Sequence, residues 1–267
     1  MTEPLLEVVG YRGAFRSPTG ELTPVLHDVS YQLKRGLITA VVGETGSGKS
    51  LVALSTLGIQ PPSFRRTAGR ILFKGVDLLS MDEASLRKVR GRQISMVFQD
   101  ARAALNPVFT VGRQLADVFQ LQHGGTRAAA MAQAIEALRL VYIPEPERRA
   151  RQYPHEFSGG MAQRVMIAMA ALVCQPELLI LDEPTTGLDV TIQSEIMTLI
   201  VDLCKGRGLT ACLITHDLGV VVETCDEVVV MNAGRVVETG SAEAIFTAPK
   251  NDYTRKLLAA SQLVEAA

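Results

Sequence analysis

The chain has 267 residues, 47% of them hydrophobic, which excludes a disordered protein and gives length enough for one large domain or two small ones with a sizeable core. Its 27 Lys and Arg are balanced by 28 Asp and Glu, so it has no basic surplus of the kind that gives sequence-independent nucleic-acid affinity. Cys174, Cys204, Cys212 and Cys225 show no C-x-x-C spacing and lie in apolar or helical contexts, which argues against a disulfide frame or zinc site and for reduced core thiols in a cytoplasmic setting. The first residues lack the basic and apolar regions of a signal peptide, and the longest apolar run, from Val165 to Cys174, is too short to span a bilayer. Any membrane role is therefore expected to come through partners.

In chain order, Leu5 to Val9 and Val25 to Leu33 read as strands separated by the turn residues Ser17-Pro18-Thr19-Gly20. Leu37 to Val42 supplies β-branched residues for a buried strand and runs into Gly43-Glu44-Thr45-Gly46-Ser47-Gly48-Lys49-Ser50, which fits the G-x-x-x-x-G-K-[ST] pattern. The glycines let the backbone curl so that successive N–H groups point at one anion, and the following helix, Leu51 to Ile59, adds the positive end of its dipole. Lys49 would neutralise β- and γ-phosphates, and the Ser50 hydroxyl is the expected Mg²⁺ ligand. The plain alternative is a glycine-rich turn arising by chance.

Beyond Pro61-Pro62, Arg70 to Val76 returns to strand and turn signals, and Ser80-Met81-Asp82-Glu83 fits a capping box opening a helix to about Arg90. Ile94 to Phe98 is a buried strand that delivers Gln99 to its carboxyl end, where ligands of open α/β sheets collect. Asp100 to Gln152 holds helices and loops without a convincing strand and reads as an inserted helical subdomain. Phe157-Ser158-Gly159-Gly160-Met161 opens a long apolar helix with Ser158 as its cap, and Leu178 to Leu181 is a strand ending in Asp182 and Glu183. An amphipathic helix, the strand Thr210 to Ile214 leading to His216, and a hairpin across Asn232-Ala233-Gly234 follow. Strands alternating with helices imply an α/β core.

Asp182 at a strand end can hold Mg²⁺, and Glu183 can polarise the water that attacks a γ-phosphate. An acidic pair of this kind can equally be a capped strand end, and His216 can be a structural histidine; following apolar strands in a chain with a phosphate loop, they suit a hydrolytic base and a γ-phosphate sensor.

Taken together, the phosphate loop, Gln99, Ser158-Gly159-Gly160, Leu181-Asp182-Glu183, Leu188-Asp189 and His216 occur in the order found in the ATP-binding subunits of ABC transporters, and the chain resembles that family over almost its whole length. The resemblance implies a P-loop, RecA-like ATPase core with an N-terminal antiparallel β subdomain and an inserted α-helical subdomain, all within one ABC domain over 1–267. It implies ATP and Mg²⁺ as ligands, bound by the loop through Leu51, and a head-to-tail dimer in which Ser158, Gly159 and Gly160 act on ATP held by the other subunit. Gln99 resembles the residue that contacts Mg²⁺ and links the site to the helical subdomain, and Asp189 the one that couples the two sites. Phe15, directly before the Ser17 turn, aligns with the aromatic that stacks on adenine; it could instead be ordinary core. Met161 departs from the glutamine of most members.

Within the family, Phe98-Gln99-Asp100, Tyr153 to Met161, Asp182 to Val190, Thr215 to Val221 and Tyr253-Thr254-Arg255-Lys256-Leu257-Leu258 are similar to the dipeptide, oligopeptide and nickel importer branch. Thr56 to Pro62, Thr67-Ala68-Gly69 and the short tail resemble its nickel members. This implies a peripheral subunit on the cytoplasmic face of the inner membrane, working with two permeases, a related second ATPase chain and, indirectly, an extracytoplasmic solute-binding protein. Peptides remain an open alternative to nickel. A soluble ABC-type ATPase acting on nucleic acid or ribosomes is the rival reading, which the near-neutral charge disfavours.

Overall fold

The computed structural model describes residues 3–265, with side chains to residue 261. The chain divides into two compact units, one holding the residues up to Arg87 and from Thr210 onward, the other Lys88–Leu209.

In the first unit, β1 (Pro4–Arg16) pairs antiparallel with β2 (Leu22–Lys34), and the expected turn closes through the Gly20 N–H donating to the Ser17 carbonyl at 2.9 Å. Both strands run longer than the apolar stretches that signal them, because register shifts around Tyr11 and Gly13 let the ladder continue past interrupted alternation. The fully buried β3 (Ile38–Val42) leads into α1 (Lys49–Thr56), then β4 (Phe64–Phe73), β5 (Val76–Asp77) and α2 (Glu83–Val89). The start of α2 differs from expectation. Asp82, not Ser80, accepts the Ser85 N–H at 2.8 Å, because Leu78–Ser80 is a 3₁₀ turn capped by Asp77 and the Ser80 hydroxyl donates to Asp77 O.

The second unit begins its parallel pair with β6 (Ile94–Val97) and continues through α3 (Ala101–Ala104), α4 (Val111–His123), α5 (Arg127–Leu140), α6 (Pro146–Arg149) and α7 (Gly159–Ile167). No strand interrupts the described residues between β6 and α7, in line with a helical insertion. The apolar helix expected after Ser158 changes character midway: Ala168–Val173 winds as a π-helix, whose wider turn is lined by the small residues Ala168, Ala170 and Ala171. Then β7 (Leu178–Asp182) pairs parallel with β6, and α8 (Val190–Arg207) ends at Gly208 in the left-handed conformation.

The chain returns to the first unit with β8 (Thr210–Thr215), α9 (Leu218–Thr224), the hairpin of β9 (Glu227–Asn232) and β10 (Arg235–Ser241), α10 (Ala242–Thr247) and α11 (Asp252–Glu265). There β3 lies between β8 and β9, parallel to both, and β10 is antiparallel to β9. A strand flanked and covered on both faces must be largely apolar, which Ile38–Val42 is apart from the buried Thr39. The antiparallel sheet has the order β2-β1-β4-β5. All four cysteines are buried and unbridged. Among the described residues no helix is long and apolar enough to cross a membrane.

Candidate nucleotide-binding and hydrolytic residues

The first unit carries the phosphate loop at the carboxyl end of β3. Gly43, Gly46 and Gly48 have φ of 145°, 84° and 98°, which favour glycine. Two of them are also packed from below: a Cβ on Gly43 would stand 2.0 Å from the Met231 carbonyl oxygen, and one on Gly48 2.5 Å from Leu26 Cδ2. The Gly234 N–H holds the same curl by donating to Ser47 O at 3.1 Å. Lys49, the first residue of α1, is 5% exposed, and its Nζ donates to the carbonyls of Gly43 at 2.6 Å and Glu44 at 2.9 Å. The ammonium thus lies inside the curve, and Ser50 follows it on the first turn of the helix, where N–H groups have no intrahelical partner.

A rigid glycine cradle, a buried lysine inside it and a helix N-terminus together suit a polyphosphate. Ser50 in this unit offers a hydroxyl oxygen of the kind a hard cation such as Mg²⁺ takes, and Asp182 and Gln99 of the second unit carry side-chain oxygens of the same kind.

His216 stands exposed just after β8, and the turn beyond it is fixed by the Asp217 N–H donating to Thr215 Oγ1 at 3.0 Å and by Asp217 capping α9 through the Val220 N–H at 3.2 Å. Phe15 is half-buried on β1 with its ring edge-on to Phe64 at 5.6 Å. Tyr11 is 1% exposed and belongs to the core, so of the two aromatics only Phe15 offers a ring face to a ligand.

The second unit holds the acidic pair. Asp182 ends β7 and is 8% exposed. Glu183 follows with φ 46°, a left-handed backbone that a glutamate rarely takes. Its Oε2 accepts from Gln99 Nε2 at 3.1 Å and from the Thr186 hydroxyl at 2.9 Å, so the carboxylate is aimed by two donors from different loops. Gln99 and Glu183 follow the neighbouring parallel strands β6 and β7, which accounts for their meeting across 84 residues of chain.

Ser158 caps α7, its Oγ accepting the Met161 N–H at 3.3 Å. Gly160 is forced to be small, since a Cβ there would come within 2.6 Å of Ile192 Cγ2 on α8; at Gly159 a Cβ would stand 3.3 Å from Leu188 Cδ2, close enough that the leucine would have to shift. Met161 contributes its backbone to the cap, so the departure from glutamine leaves this hydrogen bond intact. Asp189 caps α8 by accepting the Ile192 N–H at 3.1 Å.

The structure adds residues that sequence reading had not assigned to the site. Thr186 escaped because a threonine in a turn has no signature of its own. Met231 and Leu26, which floor the loop, read simply as strand residues. Tyr253, within the tail stretch, accepts the Glu44 N–H on its hydroxyl at 3.1 Å, a contact across 209 residues with no local signal.

The family model described as ABC transporter matches residues 26–186. The chain is 52% identical over 238 residues to a probable peptide ABC transporter ATP-binding protein, y4tR, of Sinorhizobium fredii, covering 89% of this chain and 71% of that protein. It is 46% identical over 255 residues to the oligopeptide transport ATP-binding protein OppD of Haemophilus influenzae, covering 96% of this chain and 78% of the relative. Among solved structures, cbiO1 from Clostridium perfringens, part of the ABC transporter complex cbiONQ, superposes with a TM-score of 0.77 at 30% identity, over 98% of this chain and 99% of that one. An ATP-binding cassette solved as a dimer in a post-hydrolysis state with ADP and Pi gives a TM-score of 0.78 at 25% identity, over 89% and 98% of the two chains.

Proposed function

Because the chain belongs to the ABC transporter family of ATP-binding subunits, we propose that it hydrolyses ATP to drive solute uptake through partner permeases, with Glu183 as the base that activates water. The observation that carries this reading is the double anchoring of the Glu183 carboxylate by Gln99 and Thr186. A carboxylate held by two donors keeps its direction, as a base must, while Gln99 ties that direction to the start of the helical region.

In this reading the amides from Gly43 to Leu51 bind the phosphates, Lys49 turns from the loop carbonyls to the β- and γ-phosphates, and Phe15 stacks on the adenine. His216 senses the γ-phosphate. Ser50, Gln99 and Asp182 hold Mg²⁺, which when bound neutralises charge on the phosphates. Ser158, Gly159 and Gly160 present a hydroxyl and helix-terminal N–H groups to ATP bound by a second ATPase subunit, and Asp189 couples the two sites.

The permease is expected to insert a helix into a cavity of about 410 Å³ in the second unit, lined by Met96, Phe98, Val118, Met166 and Met169. Methionines suit such a seat because their flexible thioethers adapt to an incoming apolar face. Phe98 next to Gln99 makes the seat continuous with the residue that aims Glu183.

For the cargo we favour di- or oligopeptides, because the relatives are peptide and oligopeptide transport ATP-binding proteins; the stretches Thr56 to Pro62 and Thr67 to Gly69 motivate nickel or a metal chelate as the second reading. Glu183→Gln is the test of the assigned base. It should leave ATP binding intact and lower turnover by about 10²-fold or more; unchanged turnover removes Glu183 from this role. Uptake of a labelled dipeptide and of labelled nickel, compared in cells carrying the wild type or Glu183→Gln, separates the two cargoes.

A further inference from the structure

The C-terminal segment is tied to the phosphate loop by a chain of hydrogen bonds within the first unit. Glu238 on β10 accepts the Lys250 N–H at 2.7 Å on one carboxylate oxygen and the Asn251 N–H at 3.1 Å on the other. Asn251 donates to the Val237 carbonyl at 3.3 Å and accepts the Tyr253 N–H at 2.8 Å, which fixes the first turn of α11 against β10. From that turn the half-buried Tyr253 reaches back to accept the Glu44 N–H.

Glu44 is thereby gripped from two sides. Lys49 Nζ holds its carbonyl from inside the curve, and Tyr253 holds its N–H from the other side of the peptide. The two grips differ in what a nucleotide does to them. With three N–H donors, a lysine that engages both β- and γ-phosphates gives up at least one of the Gly43 and Glu44 carbonyls, whereas the tyrosine has no reason to move. As the lysine turns, the Tyr253 bond continues to hold the loop at Glu44.

We propose that Tyr253 is a positioning residue of the nucleotide site, keeping the phosphate loop in its receptive curve as Lys49 transfers from loop carbonyls to phosphates. The inference rests on the reading of Gly43–Ser50 as the ATP site. It makes α11 part of the nucleotide-binding apparatus and gives the Glu238-Asn251 turn the job of aiming the tyrosine. A tyrosine suits the task because burial pushes its hydroxyl up from its ordinary range, so that it stays neutral.

The test is a titration of the full chain with Mg-ATP, together with kcat and KM, for the wild type, Tyr253→Phe, Glu238→Gln and the pair combined. Phenylalanine keeps the ring and removes only the oxygen. Loss of one preorganising hydrogen bond should raise Kd and KM about three- to tenfold and leave kcat within about twofold. Glu238→Gln should shift both constants in the same direction by less, and the pair should do no more than Tyr253→Phe alone. Tyr142→Phe, at an exposed tyrosine in the second unit, should match the wild type.

Unchanged Kd in Tyr253→Phe, or a lower melting temperature and kcat at constant KM, overturns the positioning role, because the tail would then only support the fold. The parent reading has its own control. If Lys49→Ala abolishes ATP binding while Tyr253→Phe is silent, this inference alone fails; if the wild type binds no ATP, both fail.

Discussion

Glu183 sits in a backbone conformation that costs a non-glycine residue roughly 1–3 kcal/mol, and the donors on its carboxylate show what that conformation achieves. In this turn the side chain meets both Gln99 from the loop after β6 and Thr186 three residues onward. Glycine is required in the opposite sense at Gly43, where the backbone has φ 145° and the missing Cβ makes space for the Met231 carbonyl. Because that neighbour is backbone in the middle of a buried sheet, it cannot swing away. Gly43→Ala should therefore destabilise the protein by about 2 kcal/mol or more in urea unfolding and weaken ATP binding in parallel. The same change at Gly46, which has nothing within 4 Å, should bring only the backbone strain. The pattern of glycines in the loop was legible in the sequence. Which of them are packed against a neighbour was not, since Met231 lies far along the chain.

At the scale of elements, α7 shows how a signature segment is held. Ser158 caps it, as its place before two glycines and an apolar run suggests, but its anchor is Arg164. That side chain is 10% exposed, donates to the Val141 carbonyl at 3.0 Å beyond the end of α5, and pairs with Glu195 on α8 at 2.6 Å. Glu195 is 51% exposed, so solvent screens the ion pair and most of the cost of losing Arg164 should come from the carbonyl left without its donor. We expect Arg164→Ala to cost about 2–3 kcal/mol, and Glu195→Gln less than about 1 kcal/mol, by denaturant titration. Equal losses would assign the energy to the ion pair instead. The Ser158 cap and the helical character of the stretch before it follow from local chemistry and were readable in advance, whereas the caps at Thr126, Asp189 and Asp217 emerged from the structure. The start of α2 and the π-helical winding of Ala168–Val173 were not, because each depends on what the preceding or facing element leaves room for.

For the molecule as a whole, the ties that close the chain's end onto its earlier strands carry a charge and hence a pH dependence. Burial works to raise the Glu238 carboxyl, but the nearby Thr254 hydroxyl and the N–H groups of Lys250 and Asn251, with the Lys250 ammonium, outweigh it and hold the group below the usual range. A carboxyl depressed on folding stabilises the folded state above its unfolded value of about 4.3, and the contribution disappears as pH falls through the lower folded value. The wild type should consequently be more stable than Glu238→Gln at pH 7, with the gap closing only below about pH 4.3 in melting curves. A gap that stays constant to pH 3 would mean that the charge plays no part.

The alternation of strand and helix, the phosphate loop, the acidic pair, the signature turn and the family all followed from the sequence, because each depends on residues close together in the chain and on the periodicity of buried faces. The three-dimensional fold alone decided that Gln99 and Thr186 aim Glu183, that Met231 and Leu26 floor the loop, and that Tyr253 reaches Glu44. Those contacts join segments whose proximity is set by strand order and packing, and a hydrogen bond leaves no mark in a sequence until the fold has brought its donor and acceptor within reach.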